Sequence, residues 1–367
     1  MTIRIAGTRA RWAALLAPCL VLTACKAGKV QTVQTGPRGL GKELNYDIDD
    51  VRRSVADNKP PAVIPPVPAT AVGPSPYKNV QVLTDVSVPE FNRTMVAFSQ
   101  WVAPTSGPRA GCTYCHVATN LASDSIYAKV VARRMLQMVR HVNHDWRPHV
   151  GNTGITCYTC HRGSPAPHAL WWDTNQNQFL RAYLDRDDIR VESVSPYPNH
   201  ALNRSSVKQT DNTYALMINQ SRALGVNCTF CHNSRQFSSW DESSGKRVTA
   251  LYGMRMVRDL NSNFLTPLHS VFPDSTRGPL GDSPKLQCMT CHNGVYKPLY
   301  GVNTVKDYPA LWGAPQWDST DAVVHDVHGT WVYGPLTDTT GNRTVVPPPL
   351  HAPSGGAPGA QSPSGGP

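Results

Sequence analysis

Cys-x-x-Cys-His occurs four times in this chain, as Cys112-Thr113-Tyr114-Cys115-His116, Cys157-Tyr158-Thr159-Cys160-His161, Cys228-Thr229-Phe230-Cys231-His232 and Cys288-Met289-Thr290-Cys291-His292. In this pentapeptide the two thiols form thioether bonds to the vinyl groups of a haem, and the His ligates iron from one side. With 10 Cys and 13 His in 367 residues, chance predicts roughly 0.01 matches in the whole chain. Four matches are therefore no accident. A zinc ribbon would use paired thiols without a His fixed behind each, and a thioredoxin-like site would occur once, on a βαβ unit. Four haems constrain the fold directly. Each is a large flat apolar body around which loops pack, so a chain with 40% hydrophobic residues and 32 prolines can still be compact. The motifs use eight of the ten Cys, and Cys19 and Cys25 lie in an N-terminal export segment, which leaves none for a disulfide.

Residues 1–24 read as a secretion signal, with Arg4, Arg9 and Arg11 ahead of an apolar run from Trp12 to Leu22 that is too short to span a bilayer. The signal ends in Leu22-Thr23-Ala24-Cys25, which resembles the lipobox of bacterial lipoproteins and implies acylation of Cys25. No later segment has the apolar length of a membrane span, so lipid alone would hold the protein to a membrane. Covalent haem attachment is periplasmic in bacteria, which agrees with export. Residues 60–76 carry seven prolines and should be extended, as a strap or a stalk. Residues 347–367, rich in Pro, Gly and Ser, read as a disordered tail. The formal charge of +10 falls to +7 without the signal arginines, and eight haem propionates would offset it. The basic pI therefore does not indicate nucleic-acid binding. Several Arg should pair with propionates; Arg247, close behind the third motif, is one candidate.

The motifs fall into two pairs, each with an apolar-periodic segment, a motif, a helix, a loop and a second motif. Met138-Val139-Arg140-His141-Val142-Asn143 matches Met256-Val257-Arg258-Asp259-Leu260-Asn261. The segments around Met95 and Met217 also match, with Pro89 in a first turn and Asp211 at an N-cap. The expected fold is mainly α with little β: a multihaem cytochrome c of two pseudo-twofold related two-haem repeats with long loops. The boundaries are a signal at 1–24, a lipid-anchored extended segment at 25–88, repeats at 89–205 and 206–310, a C-terminal extension at 311–346 and the tail at 347–367.

An iron devoted to electron transfer needs a sixth ligand, and Met raises the reduction potential relative to a second His. Met95 and Met217 lie 17 and 11 residues before the first Cys of their motifs and are assigned to the haems of His116 and His232. For the haem of His161 the choice is Met135, with Met138 one turn away as its rival. Aligning Met138 with Met256 sets Met135 opposite Gly253, so the second half lacks the corresponding Met. That predicts a His for the haem of His292, from among His141, His144, His149, His168, His200 and His269.

The strings Gly111 to His116, Val131 to Leu136, Gly154 to Gly163, Asn227 to Asn233 and Met256 to Asn261 resemble the tetrahaem cytochrome subunit of the photosynthetic reaction centre of purple-type phototrophic bacteria. The resemblance runs from about Pro89 to about Pro309. It implies Met95, Met135 and Met217 as sixth ligands of the first three haems, and His149 as the cross-repeat ligand of the fourth. It also implies a non-enzymatic electron carrier on the periplasmic face of the photosynthetic membrane. Such a carrier docks on core subunits that hold bacteriochlorophyll and re-reduces the photo-oxidised special pair. A soluble cytochrome c or a high-potential iron–sulfur protein supplies the electrons. The chain departs from the family in extra residues from Thr105 to Ala110, a shorter link between the halves and the long tail. The alternative is a periplasmic multihaem carrier of a respiratory reductase chain, a class that favours two His per iron; the Met pattern counts against it.

Overall fold

A computed structural model describes residues 29–34, 43–68, 76–174, 177–184, 207–237, 239 and 241–313. The signal, Cys19, Cys25, His200 and the tail lie outside the described residues. The chain divides after Asp57 into two units. The described part of the first is an antiparallel hairpin of β1 (Val30–Gln34) and β2 (Glu43–Asp47), registered Val30 to Asp47, followed by α1 (Ile48–Asp57). Asp47 ends the strand and starts the helix, because its carboxylate accepts from the Asp49 and Asp50 amides at 2.7 and 3.2 Å. The sequence reading had made 25–88 one extended segment; the structure sets a hairpin and a ten-residue helix inside it.

The second unit is helical. It contains α2 (Val88–Trp101), α3 (Tyr127–Asp145), α4 (Arg147–Val150), α5 (Cys157–His161), α6 (Gln178–Leu184), α7 (Val207–Leu224), α8 (Gly245–Leu260) and α9 (Cys288–His292). The expectation of a mainly helical chain holds, since β1 and β2 are the strands among the described residues. Helix α2 starts as its sequence suggests. Ser87 caps it by accepting from the Glu90 amide, and Pro89 occupies the first turn. Helix α7 does not, because it begins at Val207 and Asp211 lies inside it. The residues from Val207 to Thr210 include neither Gly nor Pro, so nothing stops the helix from extending back past Asp211.

Trp101, Val142, Leu184, Leu216, Phe264, Val305 and Leu311 are among the fully enclosed apolar side chains of the core. Trp101 meets Tyr308 edge-on with ring centroids 4.6 Å apart. The prolines from 60 to 68 form a strap on this body. Buried Arg93 donates to the carbonyls of Ile64 and Pro65 at 2.8 and 2.9 Å, and the Ile64 amide donates to the Tyr308 hydroxyl at 3.2 Å. Residues 69–75 lie outside the described residues.

Candidate haem-binding sites

The four motifs adopt two local geometries. Cys112 lies in the 3-10 turn Gly111–Tyr114 and Cys228 opens the 3-10 turn Cys228–Phe230, and the amides of His116 and His232 each donate to the carbonyl of the first Cys at 3.0 Å. The second and fourth motifs are single α-turns, α5 and α9. Each is opened by a reciprocal cap, Thr156 with Thr159 and Gln287 with Thr290, and each is closed by a left-handed residue, Arg162 or Asn293. In the loop before each turn an asparagine fixes the backbone. Asn143 accepts from the Ile155 amide at 2.7 Å and donates to its carbonyl at 3.0 Å; Asn261 does the same with Leu286 at 2.7 and 3.0 Å. Ile155 and Leu286 both stand two residues before the first Cys of their motif.

All four motif histidines hold one tautomer. Nδ1 of His116, His161, His232 and His292 faces the carbonyl of Leu121, Ser164, Phe237 and Val295, at 3.1, 2.9, 2.8 and 3.1 Å. A carbonyl only accepts, so Nδ1 carries the proton and Nε2 keeps the lone pair that an iron needs. Burial holds the imidazoles of His161, His232 and His292 below their ordinary pKa, the last at about 4, so they are neutral at pH 7.

A fifth histidine shares this arrangement. His149, on α4, directs Nδ1 to the Thr249 carbonyl of α8 at 2.9 Å, and burial lowers its pKa too. Its ring lies edge-on to that of His292, with an interplanar angle of 69° and centroids 6.0 Å apart. Two imidazoles on opposite sides of one metal, each bonded at about 2 Å, place their centroids about 6 Å apart. Gly253 makes room for this ring. A Cβ there would stand 2.5 Å from Cε1 and 2.8 Å from Nδ1 of His149.

The model of the family described as photosynthetic reaction centre cytochrome C subunit matches residues 26–182 and 175–312. The chain belongs to this family. It is 43% identical over 327 residues to the photosynthetic reaction center cytochrome c subunit of Thermochromatium tepidum, covering 82% of this chain and 80% of that one. The subunit of the same name from Rubrivivax gelatinosus is 41% identical over 334 residues, covering 83% and 89%. The one from Roseobacter denitrificans is 36% identical over 320 residues, covering 76% and 85%. As a reaction-centre cytochrome the chain is an electron carrier and not an enzyme.

The donor set of this cytochrome fits covalent haem at each motif: two Cys and one imidazole of fixed tautomer. The second Cys of the second and fourth motifs, Cys160 and Cys291, lie side by side, with Cα atoms 4.5 Å apart. The packing of α5 against α9 brings them together. A thioether at either sulfur excludes a disulfide between them. Burial raises the thiols of Cys115 and Cys288 to about 11 and that of Cys157 to about 12, and it raises Cys231 as well.

The methionines separate by burial. Met138 and Met256 belong to the core at 7% and 8% exposure, while Met95, Met135 and Met217 are only partly buried beside it. Met138, the rival of Met135, lies among the buried residues of the core. Helix α2, which bears Met95, packs on the turn of the first motif, and α7, which bears Met217, packs on α9. Among the other histidines, His168 lines a cavity of about 500 Å³ with His161, and His269 is exposed. Arg247 donates from Nη1 to the Ser239 carbonyl and the Ser243 hydroxyl at 2.6 and 2.8 Å, bracing the loop behind the third motif.

Sequence reasoning missed a buried polar centre. His141 lies between Asp145 and Asp259, 2.6 Å from each, and Trp146 donates to Asp259 at 2.8 Å. The only signal was that His141 and Asp259 are aligned positions of the two matching strings, occupied by residues of opposite charge.

Proposed function

We propose that this chain is a tetrahaem electron carrier that docks on the photosynthetic reaction centre and re-reduces its photo-oxidised bacteriochlorophyll pair. Electrons come from a soluble periplasmic cytochrome c or a high-potential iron–sulfur protein. The chain is held at the periplasmic face of the membrane by lipid on Cys25. The observation that carries the reading is the uniform tautomer of four motif histidines in a chain of the reaction-centre cytochrome family. Each haem, when bound, supplies a one-electron iron couple. The protein's residues do the rest. Cys112, Cys115, Cys157, Cys160, Cys228, Cys231, Cys288 and Cys291 fix the four groups covalently. His116, His161, His232 and His292 offer Nε2. Met95, Met135 and Met217 offer thioethers to the first three irons, which raises their potentials, and His149 completes the fourth. Three haems of raised potential suit a donor to a strongly oxidising pigment, and no proton or substrate bond is exchanged.

The chain is read as a duplicated two-haem unit. The supporting contacts are the paired Asn143 and Asn261 clamps, the two kinds of motif turn in the same order, and the matched arginines. Arg140 donates from Nε to the Ala310 carbonyl at 2.8 Å, and Arg258 to the Tyr183 carbonyl at 3.1 Å.

The test is a laser flash on membranes that contain the protein with its haems reduced beforehand. A c-type haem should be oxidised as the pigment cation is re-reduced, in a first-order process. A diffusing donor would instead give a rate that depends on its concentration. Without flash-induced haem oxidation the reading is lost to the respiratory alternative.

A further inference from the structure

The second half of the chain has a glycine at the position where the first half offers its methionine. The asparagine clamps fix this equivalence without appeal to sequence matching. Asn143 lies eight residues after Met135 and Asn261 eight residues after Gly253, and each clamps the residue two before its motif. Gly253 therefore occupies on α8 the place that Met135 occupies on α3.

The structure also shows what uses the space. The His149 ring lies over Gly253, with Cε1, Nδ1 and Nε2 at 2.5, 2.8 and 3.2 Å from where a Cβ would stand. A helix surface is normally shielded by its Cβ atoms, and the bare backbone here lets the imidazole reach the Thr249 carbonyl, one turn back on α8, at 2.9 Å. That bond places the proton on Nδ1 and leaves Nε2 with the lone pair, on a ring whose centroid is 6.0 Å from that of His292.

We propose that Gly253 decides which residue ligates the fourth iron: its missing side chain admits His149 and removes the methionine that would compete. It is a positioning residue. The inference rests on the ligand set proposed above and adds a cause for its asymmetry. It implies that one substitution converts the fourth site to the type of the second, because a methionine at this position both displaces the imidazole and supplies the thioether.

The experiment uses the haem-loaded protein within its membrane complex, as wild type, Gly253→Met, Gly253→Ala and His149→Met. Near-infrared magnetic circular dichroism counts Met/His and His/His irons, and redox titration gives the four midpoints. Wild type should show three Met/His irons and one His/His iron. Gly253→Met should lose the His/His signal, show four Met/His irons and shift one midpoint upward. Gly253→Ala, which adds only a methyl group, should shift the EPR g-values of the His/His iron alone and leave the other three irons unchanged. An intact His/His signal and unshifted midpoints in Gly253→Met, where His149→Met abolishes that signal, would overturn the role of Gly253. If Gly253→Met does not accumulate, unchanged g-values in Gly253→Ala overturn it equally. A wild type without any His/His iron overturns the ligand set itself.

Discussion

His141 is a buried imidazole held by two carboxylates, and its surroundings set two opposed effects. Burial favours the neutral ring, but hydrogen bonds and charge from Asp145 and Asp259 outweigh it and raise the pKa to about 9. The folded value lies above the ordinary value of about 6.5. The stabilisation is therefore complete below about pH 6.5 and is lost as pH rises through about 9. The thermal midpoint should fall across that window, and His141→Gln should flatten the fall; a wild-type profile with no slope there would refute the argument. Asn143 allows a second residue-scale forecast. It is fully buried and holds Ile155 and Leu311 through three hydrogen bonds. Asn143→Ala should cost about 1–3 kcal/mol for each buried group left unpaired, read as a lower denaturation midpoint. Asn261→Ala should cost about as much as Asn143→Ala. Gly253 has the opposite balance: a glycine within a helix costs about 1 kcal/mol relative to alanine, a cost set here against the fit of His149. These residues were only half legible in the sequence. The aligned strings marked positions 141, 143, 253, 259 and 261, but not which of them touch, since that depends on how α3, α4 and α8 pack.

Among the elements, α5 and α9 carry the most consequence, because they place two attachment motifs back to back. In a haem-free chain their contact brings the Cys160 and Cys291 sulfurs together. Their neighbours Cys157 and Cys288 have thiols raised to about 12 and about 11, so these stay protonated and unreactive at neutral pH. Exported chain made without haem and kept in an oxidised glutathione buffer should therefore yield a peptide cross-linked through Cys160 and Cys291 after alkylation and mass spectrometry. The haem-loaded protein should yield none. Alkylation of all eight motif thiols in the haem-free chain would contradict this. The helical segments of α2, α3 and α8 and the first turn of α2 were readable, because caps and periodicity are local. The start of α7, the π-turn at Asn261–Leu265 and the Cys160–Cys291 pair were not. A helix runs on where nothing stops it, and the other two depend on tertiary contact.

At the scale of the molecule, the four pentapeptides carried most of what was legible: class, cofactor chemistry and family. The hairpin at 30–47 was hidden, since its two short strands lie within a segment whose prolines dominate the reading. No helix among the described residues is long and apolar enough to cross a membrane; the anchor proposed above is lipid on Cys25. Mass spectrometry of the mature protein should find a diacylglyceryl group there, and Cys25→Ser should be released or retained only through its partner. A single chain would hold only marginally, and two or three firmly. An unmodified N-terminus at another residue would exclude the anchor. The histidine locks also imply an order of events in folding. His116, His161, His232 and His292 find their carbonyls three to five residues away. Such small loops close early and at little entropic cost. The lock of His149 spans 100 residues, from α4 to α8. It forms only when the distant parts of the chain have met, so the seated His149 ring serves as a certificate that α4 and α8 have come together.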